Sequence, residues 1–359
     1  MNLLKIYQDL KHVQATPAVS IFVPTHRTFP DNEQDSIAVK NALSELENRL
    51  LEQNDKRTTE GILDQINQKL EGHNHNYNLD SLAIFATLEE AHILKLPFQT
   101  ASRVVIDERY ALREFIRELN NGQGYYLLAV NRDQARLIEA YNDQVNHEFD
   151  HSDELQNSTF PIQYDNGAID RNNDTAEENA FKEYLNRVDK SVQEVYNQNN
   201  LPVFIVADPR TSALYEQVCD NKRVIAATVN SNQHQGSAQD LVNDIQEHVH
   251  QHRQQQQIEL LDKIGQARGQ NQLLEDFTQI YAGTVEGRIK ELFVRKGYVQ
   301  PAKVDAEKLQ VQVTDEEDRT TDDLIDDLIE LTLQNGGDVH FIASEHFPEN
   351  ANLFATTRY

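Results

Sequence analysis

Cysteine is almost missing from this chain of 359 residues: Cys219 is the only one. It cannot close an internal disulfide, and without a second thiol at a metal-ligand spacing no zinc-finger-type site can form. A reducing compartment, the cytoplasm, is the expected setting. Also lacking is any run of about 18 apolar residues, so no membrane-spanning helix is expected. The opening Met1-Asn2-Leu3-Leu4-Lys5 shows no basic segment leading into an apolar stretch and a cleavage site, so export is not expected either. No Gly-rich phosphate loop with a following Lys occurs, which argues against nucleotide hydrolysis by the chain itself. Internal repeats are missing too.

Basic residues are in short supply. Lys and Arg number 33 against 59 Asp and Glu, a formal charge of -26. Phosphate contacts are made mainly by Lys and Arg, so a nucleic-acid partner is disfavoured unless local patches serve it. The excess is uneven: residues 1–120 hold 13 basic and 18 acidic residues, 121–250 hold 9 and 21, and 251–359 hold 11 and 20. The first segment is the least acidic.

What is present is an alternation of strand and helix patterns, with 38% apolar residues to supply cores. Val19–Val23 reads as a strand ending at Pro24, which has no N–H for a ladder. Ile37, Leu43, Leu46 and Leu50 fall near helical spacing, as do Ile62, Ile66 and Leu70. Strands are expected at 82–85, 93–96 and 104–106, then a helix over about 110–120. Tyr125–Val130 and Ala135–Ala140 form a hairpin whose first strand, apolar on both faces, belongs at the covered centre of a sheet. Residues 151–175 are polar and without sustained periodicity, a loop length that is usually functional or disordered. A helix over 176–198, strands at 203–206 and 224–229 and a long polar helix over 237–264 follow. The last part predicts a helix near 270–282, strands at 291–294 and 339–342, a helix over 321–334, and Gly336-Gly337. The pattern implies α/β layers throughout, in domains spanning 1–120, 121–236 and 237–359.

From about residue 120 the order of elements resembles the middle and C-terminal domains of archaeo-eukaryotic release factors and Pelota. The carriers are the hairpin at 125–140, the long loop, the strand at 203–206, the segment Ala282 to Val294, and the close Phe354-Ala355-Thr356-Thr357-Arg358-Tyr359. The first domain, through Val19 to Thr28, is similar to that of the bacterial branch of this family. The resemblance implies three α/β domains, the middle one ribonuclease H-like and the last like the family's C-terminal domain. It further implies a cytoplasmic factor, acting as a monomer on ribosomal RNA of both subunits, with neither DNA nor membrane as partner. A translational GTPase, EF-Tu in bacteria, would contact the last domain.

Hydrolytic members carry Gly-Gly-Gln on the long loop of the middle domain. Here residues 156–175 have no such triplet, and Asn121-Gly122-Gln123 sits before the first strand, where Gly122 reads as a helix C-cap. The resemblance therefore implies a binder and not an enzyme, without cofactor or metal: a hibernation factor filling the vacant A site. The alternatives are a release or rescue factor that places water with Gln163 and, more weakly, a ribonuclease. Two loops carry the expected contacts. Thr25, His26, Arg27, Thr28 and Phe29 would face the decoding centre, unless Arg27 merely pairs with Glu33 or Asp35. Asn157, Phe160, Gln163, Tyr164, Asn166, Gly167 and Arg171 would enter the peptidyl transferase centre, with Phe160 and Tyr164 stacking on bases. His248, His250 and His252 on the polar helix, and the acidic Asp322-Asp323 and Asp326-Asp327, read as solvated helix faces and not metal sites.

Overall fold

The computed structural model describes residues 3–112, 115, 118, 122–165, 174–231, 236–296, 298, 300–305, 308–314, 324–347 and 351–359. The chain divides into two compact units, Leu3–Asn120 and a second that holds Asn121–Tyr359.

In the first unit a short helix α1 (Leu3–Leu10) precedes β1 (Gln14–Pro24). Helices α2 (Asp35–Gln53) and α3 (Lys56–Leu70) follow, then β2 (Ser81–Ala86), β3 (Ala91–Leu96) and β4 (Arg103–Arg109). The sheet is fully antiparallel in the order β3-β2-β1-β4. Alternation sets its two faces: Val19, Ile21 and Val23 share a core with Leu46, Leu50, Ile62 and Ile66 of the helices. Phe22 and Phe85 point the other way and meet edge to face at 5.8 Å. The helical stripe differs from the expected one at its start. Ile37 is 58% exposed, and the buried positions run Val39, Ala42, Leu46, Leu50, steps of three and four that keep one face. The helix expected over 110–120 lies largely outside the described residues.

The second unit opens with a meander, β5 (Gly124–Val130), β6 (Gln134–Tyr141) and β7 (Gln144–Glu148). A two-residue strand β8 (Ile162–Gln163) pairs with β6. Helix α4 (Asp174–Asn199) leads to β9 (Val203–Ala207), α5 (Pro209–Val218) and β10 (Ile225–Asn230). The sheet order β10-β9-β5-β6-β7 sets two parallel crossover strands beside the antiparallel meander, a ribonuclease H-like arrangement. β5 is covered on both faces, as its unbroken apolar run predicts. Tyr126, Leu128 and Val130 pack with Phe181, Leu185, Val188 and Val192 of α4, whereas Tyr125, Leu127 and Ala129 pack with Leu241, Val242 and Val249.

Those last residues come from α6 (Ala238–Asp244) and α7 (Gln246–Gly269). α6 begins in a capping box of Ser237 and Asp240. α7 touches the two larger sheets of this unit: Val249 packs on the first, and Ile264 packs with Phe293 and Phe354 on the second. The second sheet comprises β11 (Leu273–Leu274), β12 (Ile289–Arg295), β15 (Asp338–Ile342) and β16 (Leu353–Thr357), in the order β11-β16-β12-β15. Helix α8 (Phe277–Val285) starts later than the expected 270, because Leu273–Leu274 join the sheet and the Asp276 carboxylate caps the helix by accepting from the Gln279 amide. A hairpin of β13 (Ala302–Asp305) and β14 (Gln310–Val313) comes next, and α9 (Leu324–Gln334) follows. Gly336-Gly337 is required here. Gly336 has φ +72, and a Cβ on Gly337 would lie 2.8 Å from Thr332 and 3.1 Å from the Ile289 carbonyl.

Candidate functional site

Two loops carry the residues that the sequence singles out, one in each unit. In the first unit, β1 ends at Pro24 and the chain turns across the start of β2. Thr25 is buried, its hydroxyl donating to the Leu79 carbonyl at 2.7 Å. It fixes the loop and offers nothing to a partner, contrary to the expected contact. His26 is half exposed, and its Nδ1 lies 2.9 Å from the Asp35 carboxylate, which also accepts from the His26 amide at 3.1 Å and from the Asn78 side chain at 2.8 Å. Arg27 pairs with neither Glu33 nor Asp35. Its Nε and Nη2 both donate to Asp80 at 2.8 Å, a fork that fixes the guanidinium and neutralises it. Thr28 and Phe29 are exposed, Phe29 at 75%. Sequence reasoning missed Asp80, which lies just before β2, and Tyr77, 71% exposed on an adjoining turn whose Asn76 carbonyl accepts from Asn32. The Asn-Leu-Asp stretch at 78–80 was the available signal, since short polar residues ahead of a strand favour such loop bonds. His75 stacks edge-on with His73 at 4.8 Å, and burial lowers its pKa.

In the second unit the long loop runs from β7 towards α4, and its described part is pinned. The Gln156 amide and the Asn157 backbone and side-chain amides donate to Glu194 of α4, and Ser158 exchanges two hydrogen bonds with Ser191. Phe160 overturns the expectation of a stacking face: it is fully buried in the core with Ile162 and Phe181. Gln163 is exposed and donates to Gln134 at 3.0 Å. Tyr164 is half-buried, its ring 5.2 Å from those of Phe181 and Tyr184, so one face at most remains open. Asn166, Gly167 and Arg171 lie outside the described residues, as does the helix end that Gly122 was expected to cap. Gly122 itself lies against Tyr141, whose hydroxyl would be 1.8 Å from an added Cβ.

Other charged groups prove structural. Asp189, fully buried, accepts from the Tyr215 hydroxyl and the Asp220 amide at 3.0 Å. Burial and Asp189 together push the Cys219 thiol up to about 12, which leaves it an inert thiol. His252 meets Phe204 edge-on at 5.6 Å, and burial lowers its pKa, so this part of α7 is not the solvated face that its polar sequence implies. Gln257, in the glutamine run, bonds the Phe341 carbonyl and the Ala343 amide, thereby tying α7 to the end of β15. Among the described residues no group of three or more His, Cys, Asp or Glu could hold a metal ion. No described helix is long and apolar enough to cross a membrane.

A ribonuclease H-like sheet with a long loop before its first crossover helix, the described part of that loop pinned to the helix, defines the α/β class of this domain. Residues 124–288 match the family model for bacterial archaeo-eukaryotic release factor family 3. Over that segment, a little under half of its length, the chain is similar to the bacterial branch of the archaeo-eukaryotic release factors. No curated protein matches it in sequence. Among solved structures, a ribosome-bound archaeal Pelota is 15% identical over 75% of this chain and 72% of its own, with a TM-score of 0.43. Dom34 of S. cerevisiae is 10% identical over 75% and 73%, with a TM-score of 0.41. The archaeal termination factor aRF1 is 15% identical over 99% and 97%, with a TM-score of 0.25.

Proposed function

We propose that this protein is a hibernation factor of the Balon type, a monomer that fills the vacant A site of the ribosome during stress and does not hydrolyse peptidyl-tRNA. The observation that carries the reading is the long loop of a release-factor-like domain without its Gly-Gly-Gln. Hydrolysis at an ester needs backbone that approaches closely and a group that places water. Residues 151–175 contain a single glycine, Gly167, and the root of the loop is clasped to α4. Such a loop suits occupancy better than chemistry.

In this reading the exposed Phe29, Thr28 and His26 meet 16S ribosomal RNA at the decoding centre, and the tip beyond Tyr164 meets 23S ribosomal RNA at the peptidyl transferase centre. EF-Tu is the delivering GTPase, docking on the C-terminal part. The test joins two measurements on the full chain: co-sedimentation with vacant ribosomes, and peptide release from ribosomes that hold peptidyl-tRNA. Stoichiometric binding without release is the expected result. Release with turnover would make the protein a rescue factor, and no co-sedimentation would remove the ribosome from the reading.

A further inference from the structure

Helix α4 presents Ala180, Glu183, Tyr184 and Arg187 to a cavity of about 500 Å³ that Tyr164 also lines. The spacing i, i+3, i+4, i+7 puts the four on one stripe. Two features set this cavity apart from a packing gap. The first is a pair of unused hydroxyls. Tyr184 is 1% exposed, and neither its buried hydroxyl nor that of Tyr164 has a hydrogen-bond partner among the described residues. A buried hydroxyl left so carries a desolvation cost that a ligand can relieve. Burial raises the pKa of both, so both remain donors at neutral pH.

The second feature is a separated pair of charges. Glu183 and Arg187 stand four apart, where opposite charges on a helix usually meet. Here both side chains are exposed and line the cavity, and no ion pair joins them. An acceptor and a forked donor thus stand unpaired with each other beside an aromatic ring that Phe181 and Tyr184 hold in place.

We propose that this cavity binds a guanine base. The Glu183 carboxylate accepts from N1–H and the N2 amino group, the Arg187 guanidinium donates to O6 and N7, and a buried tyrosine hydroxyl serves the remaining ring nitrogen. Tyr164 supplies the wall against which the ring lies. Adenine is rejected, because its N1 turns a lone pair towards the carboxylate and its N6 turns a donor towards the guanidinium. The base belongs either to a free guanine nucleotide or to an unpaired guanosine of an RNA, since both present the same edges.

Calorimetric titration of the full chain with GMP, AMP, IMP and a uridine-rich hexanucleotide containing one guanosine tests this without ribosomes, so its outcome is separate from that of the hibernation reading. GMP should bind at least about tenfold more tightly than AMP, with IMP between them for want of the N2 amino group. Glu183→Gln and Arg187→Met should each weaken GMP binding by about tenfold or more, with the unfolding midpoint unchanged. A hexanucleotide that binds more tightly than GMP identifies RNA as the source, and one that binds no better identifies the free nucleotide. Equal affinity for AMP and GMP, full GMP affinity in Glu183→Gln, or no binding of any probe overturns the proposal.

Discussion

Asn157 and Glu194 are joined twice: the Asn157 backbone amide at 3.2 Å and its side-chain amide at 2.8 Å both donate to Glu194 Oε2. The other carboxylate oxygen takes the Gln156 amide at 2.6 Å. One side chain of α4 thus gathers three donors from the root of the long loop and ties it to the helix before Phe160 enters the core.

Glu194→Ala should release that root. The donors are exposed and water can replace the lost acceptor, so global stability should fall by only about 1 kcal/mol, the net worth of such bonds. Local protection should change more. Hydrogen exchange at Gln156, Asn157 and Ser158 should speed up while the β5 amides stay protected. Unaltered exchange at the three positions would show that the clasp does not hold the loop.

Phe160→Ala and Phe29→Ala should separate core from surface. Phe160 is fully buried, with its ring 6.4 Å from that of Phe149, so truncation should cost about 3–5 kcal/mol in denaturant unfolding. Phe29, 75% exposed, should cost within about 0.5 kcal/mol. If the Phe29 ring meets ribosomal RNA, that variant loses ribosome affinity at undiminished stability. Equal stability losses in the two variants would contradict the assignment.

These two phenylalanines mark how far the sequence could be read. Local patterns were enough for these strands: β5 and β9 are runs of apolar residues long enough to name a covered strand, and Leu292-Phe293-Val294 marks the centre of β12. Phe160 lies in a polar stretch with no period, and its burial is decided by α4 folding over it from later in the chain. Arg27 could be named as a key loop residue, but its partner Asp80 stands 53 positions away, and nothing local selects it over Glu33 or Asp35. Polar strands were invisible for a related reason. β7 (Gln-Val-Asn-His-Glu) has one apolar residue, and pairing with β6 defines it; β13 and β14 do alternate, but over only four residues each, too few to stand out until they pair with one another. Gln257 likewise hides in a glutamine run until β15 is placed beside it.

Acidification should loosen the C-terminal sheet first through Glu291 and His340. Glu291 is 10% exposed, and its Oε1 lies 2.8 Å from Lys263 Nζ and 3.3 Å from His340 Nε2. Burial lowers the His340 pKa below 6.5, against the pull of Glu291. For Glu291 burial acts upward, but the Lys263 bond and charge and the nearby His340 bring the carboxyl below 4.5. Both groups bind fewer protons folded than unfolded, so the stability they add is present above the unfolded values and is lost as pH falls through the folded ones. The His340 part fades first, from about pH 6.5 downward, and the Glu291 part below about 4.5. His75 and His252, also lowered, add to the loss in the upper window. His340→Gln should therefore flatten the denaturation midpoint against pH between about 7 and 5 relative to the parent chain. Parallel curves for the two would remove His340 from the account.

Arg27 and Asp80 offer the sharpest test of the first loop. A cation that reads phosphate and a cation that anchors its own loop give the same loss in Arg27→Ala, so the partner must be varied too. The Asp80 fork holds both nitrogens at 2.8 Å, and the two side chains are 19% and 27% exposed, so their coupling should reach about 1 kcal/mol in a double-mutant cycle of unfolding. Arg27→Lys should recover little of it, since an ammonium cannot span both carboxylate oxygens. On ribosomes, an anchoring role predicts that Arg27→Ala and Asp80→Ala weaken co-sedimentation alike and that the double variant is no worse than either. Phosphate reading predicts the reverse for the aspartate: Asp80→Ala would unmask the guanidinium and bind at least as well as the parent. The fork, already closed on Asp80, makes the first outcome the expected one.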